Sequence, residues 1–338
     1  MAKIAINGFG RIGRLLFRYL YGKGGFDIVA VNDLGDLENL AYLLQYDTVY
    51  GRFEKDVKAQ SGSLFVGEKK VAVFQEKDPS ELPWGKLGID IVVEATGAFE
   101  SYEKARVHLK AGAKRVVITA PAEDEDTKDG KTILVGVNEQ DLAVCKISSN
   151  GSCTTNAASC VMQILSENPG IAKAVLNTSH GYTATQSLVD GPSRGSDPRR
   201  GRAAAQNIVP SSTGAAIAVT RAIPELVGKF DGIALRVPVV TGSIADITFI
   251  AKRRTSVKEV NDILVKAAMS PRWQGILKVT ADPIVSSDII RESYGAIVDL
   301  NFTRVVDGDL VKVLSWYDNE WGYVATLTKH IEAFAKTL

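Results

Sequence analysis

Apolar and polar positions alternate along the first half of the chain in short runs that read as strands and helices in turn. Lys3 to Asn7 is an apolar run ending in a glycine-rich turn, and Arg11 to Tyr21 then carries apolar residues at helical spacing. Asp27 to Val31 is a second apolar run, so the opening reads strand, helix, strand. Between Ser63 and Phe74 two apolar stretches flank Gly67-Glu68-Lys69-Lys70, the pattern of a hairpin. Asp90 to Val93 and Arg115 to Ile118 are further strand-like runs, with a charged helical stretch, Tyr102 to Lys110, between them. This alternation predicts an α/β fold of the Rossmann type, a doubly wound and mostly parallel sheet with helices on both faces.

The texture changes near residue 150. Longer strand-like runs follow, among them Ile233 to Val240, Ile244 to Ala251 and Ala296 to Leu300, interleaved with two amphipathic helical stretches. They predict a second, α+β domain built on an antiparallel sheet. Trp321 to Lys336 reads as a final amphipathic helix, and Gly191 to Gly201 as a long ordered loop or interface segment too rich in Gly, Pro and Arg for regular structure. The expected boundaries are 1–151 for the first domain and 152–317 for the second, with 318–338 packing back onto the first.

Composition narrows the function classes. A chain of 338 residues exceeds one ordinary core, which agrees with two domains. Its formal net charge of +1 gives no reason to expect nucleic acid or an anionic membrane as main partner. Three cysteines, Cys145, Cys153 and Cys160, make no disulfide framework and favour a reducing compartment. No run approaches the ~20 apolar residues of a membrane span, and the first residues pass straight into a strand pattern without a leader. A cytoplasmic location is expected.

Two motifs carry chemistry. Gly8-Phe9-Gly10-Arg11-Ile12-Gly13 is a G-x-G-x-x-G run placed between a strand and a helix, where missing Cβ atoms admit a pyrophosphate to a helix N-terminus. Asp33, about 20 residues on, ends the second strand, where a carboxylate binds ribose hydroxyls and repels a 2′-phosphate. The pair points to a dinucleotide, NAD rather than NADP. Second, Ser152-Cys153-Thr154-Thr155-Asn156 precedes a helical run, which puts Cys153 at a helix start whose dipole favours thiolate. Cys160, about two turns deeper, and Cys145 read as buried hydrophobes. Of three histidines, His108 and His330 read as surface or packing residues. His180, at a strand end, suits a catalytic base, although the pattern alone does not separate that role from packing.

These segments together resemble the phosphorylating glyceraldehyde-3-phosphate dehydrogenase family. The resemblance rests on INGFGRIGR, YDTVYGRF from Tyr46, EATGAFES from Glu94, SCTTN from Ser152 and HGYTATQ from His180. STGAA from Ser212, LRVPV from Leu235 and WYDNEWGY from Trp316 extend it over essentially the whole chain. It implies Cys153 as nucleophile and His180 as its base, with NAD as cofactor and no metal. Thr183 and Arg236 would hold the substrate's own phosphate. Ser152, Thr154, Thr213 and Gly214 would hold the attacking inorganic phosphate, with Arg199 a further phosphate-site arginine next to Arg200. Arg11 and Ile12 would meet the pyrophosphate, Asn319 would orient the nicotinamide carboxamide, and Lys77 and Thr119 stand where the family usually has arginine and often serine. Gly191-Pro192 resembles NAD-preferring members. Ala157 and Ile217 depart from a frequent cysteine and a frequent lysine.

The implied partners are a phosphorylated aldehyde, inorganic phosphate and three further copies of the chain in a homotetramer, with the Gly191 loop at a subunit contact. The expected reaction is oxidation of glyceraldehyde 3-phosphate to 1,3-bisphosphoglycerate in glycolysis. Three other readings are an erythrose-4-phosphate dehydrogenase, an aspartate-semialdehyde type of reductase, which the YTATQ and STGAA blocks oppose, and a nucleotide- or RNA-binding protein.

Overall fold

The computed structural model describes residues 1–338 except Arg194. The chain divides into two compact units, Met1–Gly151 with Leu327–Leu338, and Ser152–Thr326. Among the described residues the strands form two sheets, one of nine strands and one of seven.

The first sheet contains β1 (Ala2–Asn7), β2 (Phe26–Asn32), β3 (Val57–Gln60), β4 (Ser63–Val66), β5 (Lys69–Phe74), β6 (Ile91–Glu94), β7 (Arg115–Ile118), β8 (Gly130–Thr132) and β9 (Ile147–Ser149). Their order is β3-β4-β5-β2-β1-β6-β7-β9-β8, parallel throughout except at β3-β4 and β4-β5. The antiparallel β4-β5 pair is the expected hairpin, and Gly67 turns it at φ +56°. All four residues of β6 are buried, the continuous apolar run that a central parallel strand requires. Helices α1 (Arg11–Leu20), α2 (Leu37–Gln45), α3 (Trp84–Leu87), α4 (Tyr102–Ala105) and α5 (Val107–Lys110) connect these strands. The stretch read as one helix from Tyr102 to Lys110 is therefore two short ones, broken at Arg106. From β1 the chain builds outward to β2, then crosses to β6 on the other side. In open α/β sheets a ligand crevice forms where the strand order reverses in this way, beyond the carboxyl ends of the strands.

The second sheet comprises β10 (Ile171–Gly181), β11 (Val209–Ser212), β12 (Phe230–Val237), β13 (Ser243–Ala251), β14 (Leu277–Thr280), β15 (Ala296–Val306) and β16 (Leu310–Tyr317), in the order β11-β12-β10-β13-β16-β15-β14. It is mixed rather than purely antiparallel: β10-β12 and β14-β15 run parallel. Helix α6 (Cys153–Glu167) packs on β10, β13, β15 and β16, α7 (Ala215–Ala222) on β12, and α8 (Val257–Ala268) on β14 and β15. The alternation of buried and half-buried residues along β13 follows from helices covering one face of the sheet. The final helix α9 (Trp321–Ala335) begins in the second unit, and from Leu327 the chain belongs to the first.

Candidate functional site

In the first unit, β1 hands directly to α1 through Gly8 and Gly10. Gly8 holds φ +96°, and a Cβ there would lie 2.6 Å from the Ala95 backbone. A Cβ on Gly13 would fall 2.1 Å from the Gly8 carbonyl, whereas one on Gly10 would meet nothing within 4 Å. Two glycines therefore let the chain pack, and the third leaves open space beside the helix start. Gly10 caps α1 without a side chain, so the first N–H groups of the helix have no intrahelical acceptor and face that space with the positive end of the dipole. The Arg11 side chain is turned away into an ion pair with Asp47. Ile12 is half-buried on the first turn of the helix.

A cavity of about 490 Å³ opens there, lined by Gly8, Gly10, Asp33, Lys77, Thr96 and Phe99 among others. Asp33 accepts from Phe9 N–H at 2.6 Å and from Gly35 N–H at 2.8 Å, so its carboxylate is fixed by the glycine turn while lining the cavity. Thr119 follows β7, and its N–H donates to the Glu94 carbonyl. These features fit a dinucleotide: a cradle that Cβ atoms would fill, a helix start for phosphates and a fixed carboxylate for a ribose.

Beneath this cavity lies a buried polar network that sequence reasoning missed. Glu94, at the end of β6, accepts from Asn7 Nδ2 at 2.6 Å, His108 Nε2 at 2.9 Å and Thr96 N–H at 2.8 Å. Trp84 Nε1–H donates to His108 Nδ1 at 3.1 Å, which leaves the imidazole proton on Nε2. Neither His108 nor His330 is a surface residue; both are fully buried. The charged neighbours of His108 hid its inward face.

In the second unit, Ser152 caps α6. Its hydroxyl accepts from Thr155 N–H at 3.0 Å and the Thr155 hydroxyl accepts from Ser152 N–H at 3.1 Å, a reciprocal pair that starts the helix at Cys153. Cys153 Sγ lies 3.2 Å from His180 Nε2. His180 closes β10, and in the parallel register of β10 and β12 it stands opposite Arg236. Arg236 Nη1 is 2.8 Å from His180 Nδ1, and the Gly181 carbonyl is 2.6 Å from the same nitrogen.

A second missed group, Tyr317 at the end of β16, is buried and shares its hydroxyl with Thr154 at 2.8 Å and Thr178 at 2.7 Å, fastening the first turn of α6 to the sheet. Its ring meets that of His180 edge-on, with centroids 6.0 Å apart. The Thr154 hydroxyl is thereby occupied on the protein side. No pattern in the sequence singles out a buried tyrosine for this work.

At Cys153 two influences oppose each other, the helix start and burial. Burial pushes the Cys153 thiol up, against the opposing pull of Arg236 and the Thr154 hydrogen bonds. Desolvation thus opposes the helix start at Cys153. Burial, then Arg236, lowers His180 to about 3, so its imidazole is neutral across the physiological range. Burial raises Cys145 to about 11 and Cys160 to about 12, and those thiols are inert.

His180 at about 3 and His330 at about 4 have a consequence for stability. Both groups protonate in the unfolded chain near 6.5 yet stay neutral when folded, so stability present above pH 6.5 is lost as pH falls below it. Between pH 6 and 4.5 the two histidines should add a slope of about 2 kcal/mol per pH unit, roughly 1 from each proton. Urea unfolding at stepped pH measures this, and His330→Gln should halve the histidine part. An unchanged slope in that variant would contradict the assignment.

Of the other residues singled out from the sequence, Thr213 and Gly214 stand at the start of α7, where the Thr213 hydroxyl accepts from Ala215 N–H at 3.2 Å. Thr183 lies just past β10, its hydroxyl 3.0 Å from that of Thr185. Asn319 Oδ1 accepts from Gly242 N–H at 3.0 Å and the Ser243 hydroxyl at 2.9 Å, which directs its amide nitrogen elsewhere as a donor. Arg199 needs correction. It is exposed and paired through two hydrogen bonds with Asp197, on its own short turn. The neighbouring Arg200 points the other way, donating to the Ser211 hydroxyl at 2.7 Å and reaching Thr185 at 3.5 Å. Burial is the main cause that lowers Arg236, and the charge of Arg200 adds to it. Arg200, not Arg199, is the arginine of this cluster.

Among the described residues no helix is long and apolar enough to cross a membrane. Residues 2–102 match the family model described as glyceraldehyde 3-phosphate dehydrogenase, NAD binding domain, and residues 152–319 match the model of the C-terminal domain. The chain is 47% identical to a glyceraldehyde-3-phosphate dehydrogenase of Clostridium pasteurianum over 99% of both sequences. It is 46% identical, with the same coverage, to that of Clostridium acetobutylicum. A third relative, from Borreliella burgdorferi, is 47% identical over 95% of this chain and 96% of its own length. The chain is therefore a member of the glyceraldehyde-3-phosphate dehydrogenase family, an NAD-dependent dehydrogenase with the family's NAD-binding and C-terminal domains.

Proposed function

We propose that this protein oxidises glyceraldehyde 3-phosphate to 1,3-bisphosphoglycerate with inorganic phosphate, through a thioester on Cys153. The observation that carries the reading is the 3.2 Å approach of Cys153 Sγ to a neutral His180 Nε2, with Arg236 and Arg200 close by. As the sulfur attacks the aldehyde carbon, its proton passes to Nε2, so the buried pair does not hold an isolated charge. The new C–S bond leaves an alkoxide, which takes that proton back from Nε2 to give a hemithioacetal; the freed Nε2 of His180 then takes the hydroxyl proton while the carbon releases its hydrogen with both electrons. Bound NAD supplies the acceptor for that hydride. The thioester left on Cys153 is attacked at its carbonyl by a phosphate oxygen. The C–S bond breaks, and the thiolate recovers a proton from His180.

Two anions must be held, the substrate's phosphate and the attacking one. Arg236 with Thr183 serves the first. Ser152, Thr154, Thr213 and Gly214 serve the second, with Arg200 replacing Arg199 in the cluster. Asp33, Lys77, Thr119 and the first turn of α1 hold the dinucleotide, and Asn319 orients its carboxamide. Asp33→Ala should lower the ratio of kcat/KM with NAD to that with NADP by about 10-fold or more, about 1.4 kcal/mol of discrimination. The ratio is the proper readout, because Asp33 also steadies the glycine turn and its loss weakens both cofactors. An unchanged ratio would remove Asp33 from cofactor selection.

The proposal extends to a cytoplasmic homotetramer, with the Gly191 loop at a subunit contact. The exposed side chains of Val175 and Ile233 on neighbouring β10 and β12 support burial against another copy. Product analysis tests the reaction itself. Acyl phosphate should accumulate when glyceraldehyde 3-phosphate, NAD and phosphate are supplied together, whereas free acid as main product would favour an erythrose-4-phosphate type of hydrolysis.

A further inference from the structure

The polar network beneath the dinucleotide cavity runs beyond Glu94. Asn7, which donates to Glu94 through Nδ2, accepts at Oδ1 from Asn32 Nδ2 at 2.7 Å. Asn32 in turn accepts from Glu76 N–H at 2.8 Å and donates to the Glu76 carbonyl at 2.9 Å. A continuous chain of hydrogen bonds therefore passes under the carboxyl ends of β6, β1 and β2 and reaches the segment after β5. Asn7, Asn32, Glu94 and His108 are all buried.

The direction of each bond is fixed. Glu76 N–H only donates, so Asn32 presents its oxygen there and its nitrogen to Asn7. Asn7 must then present oxygen to Asn32 and nitrogen to Glu94. Trp84 N–H also only donates, which leaves the His108 proton for Glu94. Every donor points toward Glu94, which also accepts from the N–H and the hydroxyl of Thr96. Its oxygens accept four donors, the full capacity of a carboxylate, and an amide in its place would face some of them with donors of its own. What this chain holds is the cavity wall: Asn7, Asn32, Glu76, Lys77 and Thr96 line it together with Asp33, whereas Glu94 itself does not.

We infer that Glu94 is a positioning residue for cofactor binding: its buried carboxylate sets the direction of every hydrogen bond under the cavity and so holds the wall that receives the adenosine half of the dinucleotide. It acts on affinity and leaves the chemical step alone. The inference rests on the proposed dinucleotide site at Gly8 and Asp33.

The polarity of the chain supplies the test. Glu94→Gln puts an amide nitrogen where acceptors are needed, and should raise the Kd of the full-length protein for NAD, and for AMP as the adenosine half alone, by about 10-fold or more. At saturating NAD its kcat should stay within about 2-fold. Adding Asn7→Asp moves the carboxylate one link along the chain. The new amide then donates to it, Asn32 still does, and His108 Nε2 lies 3.4 Å from the atom it replaces. Affinity for NAD and AMP should return to within about 3-fold, a recovery that two independent losses of packing would not give. Unchanged NAD affinity in Glu94→Gln, or a double variant that binds no better than the single one, overturns the inference. Should Glu94→Gln not fold, His108 decides, because it touches Glu94 without lining the cavity. His108→Leu removes one donor and should weaken NAD, whereas His108→Gln keeps a donor at the Nε2 position and should not; equal affinity in these two variants overturns the inference. Asp33→Ala that leaves NAD affinity unchanged would instead overturn the placement of the dinucleotide, so the two failures are distinguishable.

Discussion

Cys153→Ala should reduce oxidation of glyceraldehyde 3-phosphate by at least ~10⁴-fold while leaving most NAD binding intact. The size follows from the chemistry. Without sulfur there is no covalent adduct to give up hydride and no thioester to carry the acyl group to phosphate. The selectivity follows from the fold: Cys153 is the partly exposed cysteine, whereas Cys145 and Cys160 are buried and their thiols pushed to about 11 and about 12. One equivalent of a neutral alkylating agent should therefore reproduce the variant. The glycine turn, Asp33 and the start of α1 lie in the other unit, so cofactor titration should change little in either case. Activity that survives both treatments would leave the sulfur without a role.

His180→Asn should lower the rate of the oxidative step by about 10²–10⁴-fold, the range for loss of a general base. Its pH profile separates this from simple misfolding. In the unsubstituted protein the base is neutral far above its value of about 3, so the profile should be flat from that side through neutrality. In the variant the thiol must lose its proton to solvent, and burial has pushed it up. The rate should then climb about 10-fold per pH unit, in proportion to the thiolate fraction. A variant with a flat profile would show that deprotonation of Cys153 does not depend on the imidazole.

Much of the architecture can be read from spacing. The strand, glycine turn and helix at residues 2–20 are local, and Gly8 and Gly13 have a steric reason for being glycine. The helix start at Cys153 is equally local, since Ser152 and Thr155 cap it with their own side chains. What spacing does not contain is direction across space. Strands β10 and β12 are separated by a long stretch of chain, and their parallel pairing, which sets His180 opposite Arg236, leaves no trace in the apolar pattern of either. Arg199 and Arg200 are adjacent in a polar turn without periodicity, so only side-chain direction shows which one turns inward. The charged neighbours of His108 left surface and packing readings open; the break at Arg106 and the partners Trp84 and Glu94 place it inside. For Cys153 the helix start was legible but its desolvation was not, because burial is contributed by distant segments.

The acyl-enzyme on Cys153 is tested most directly by a rapid-mixing measurement of NADH from glyceraldehyde 3-phosphate with phosphate left out. One NADH per chain should form in a burst and then stop, with the acyl group held on residue 153 until added phosphate restarts turnover. Steady NADH production without phosphate, or no burst at all, would contradict the account.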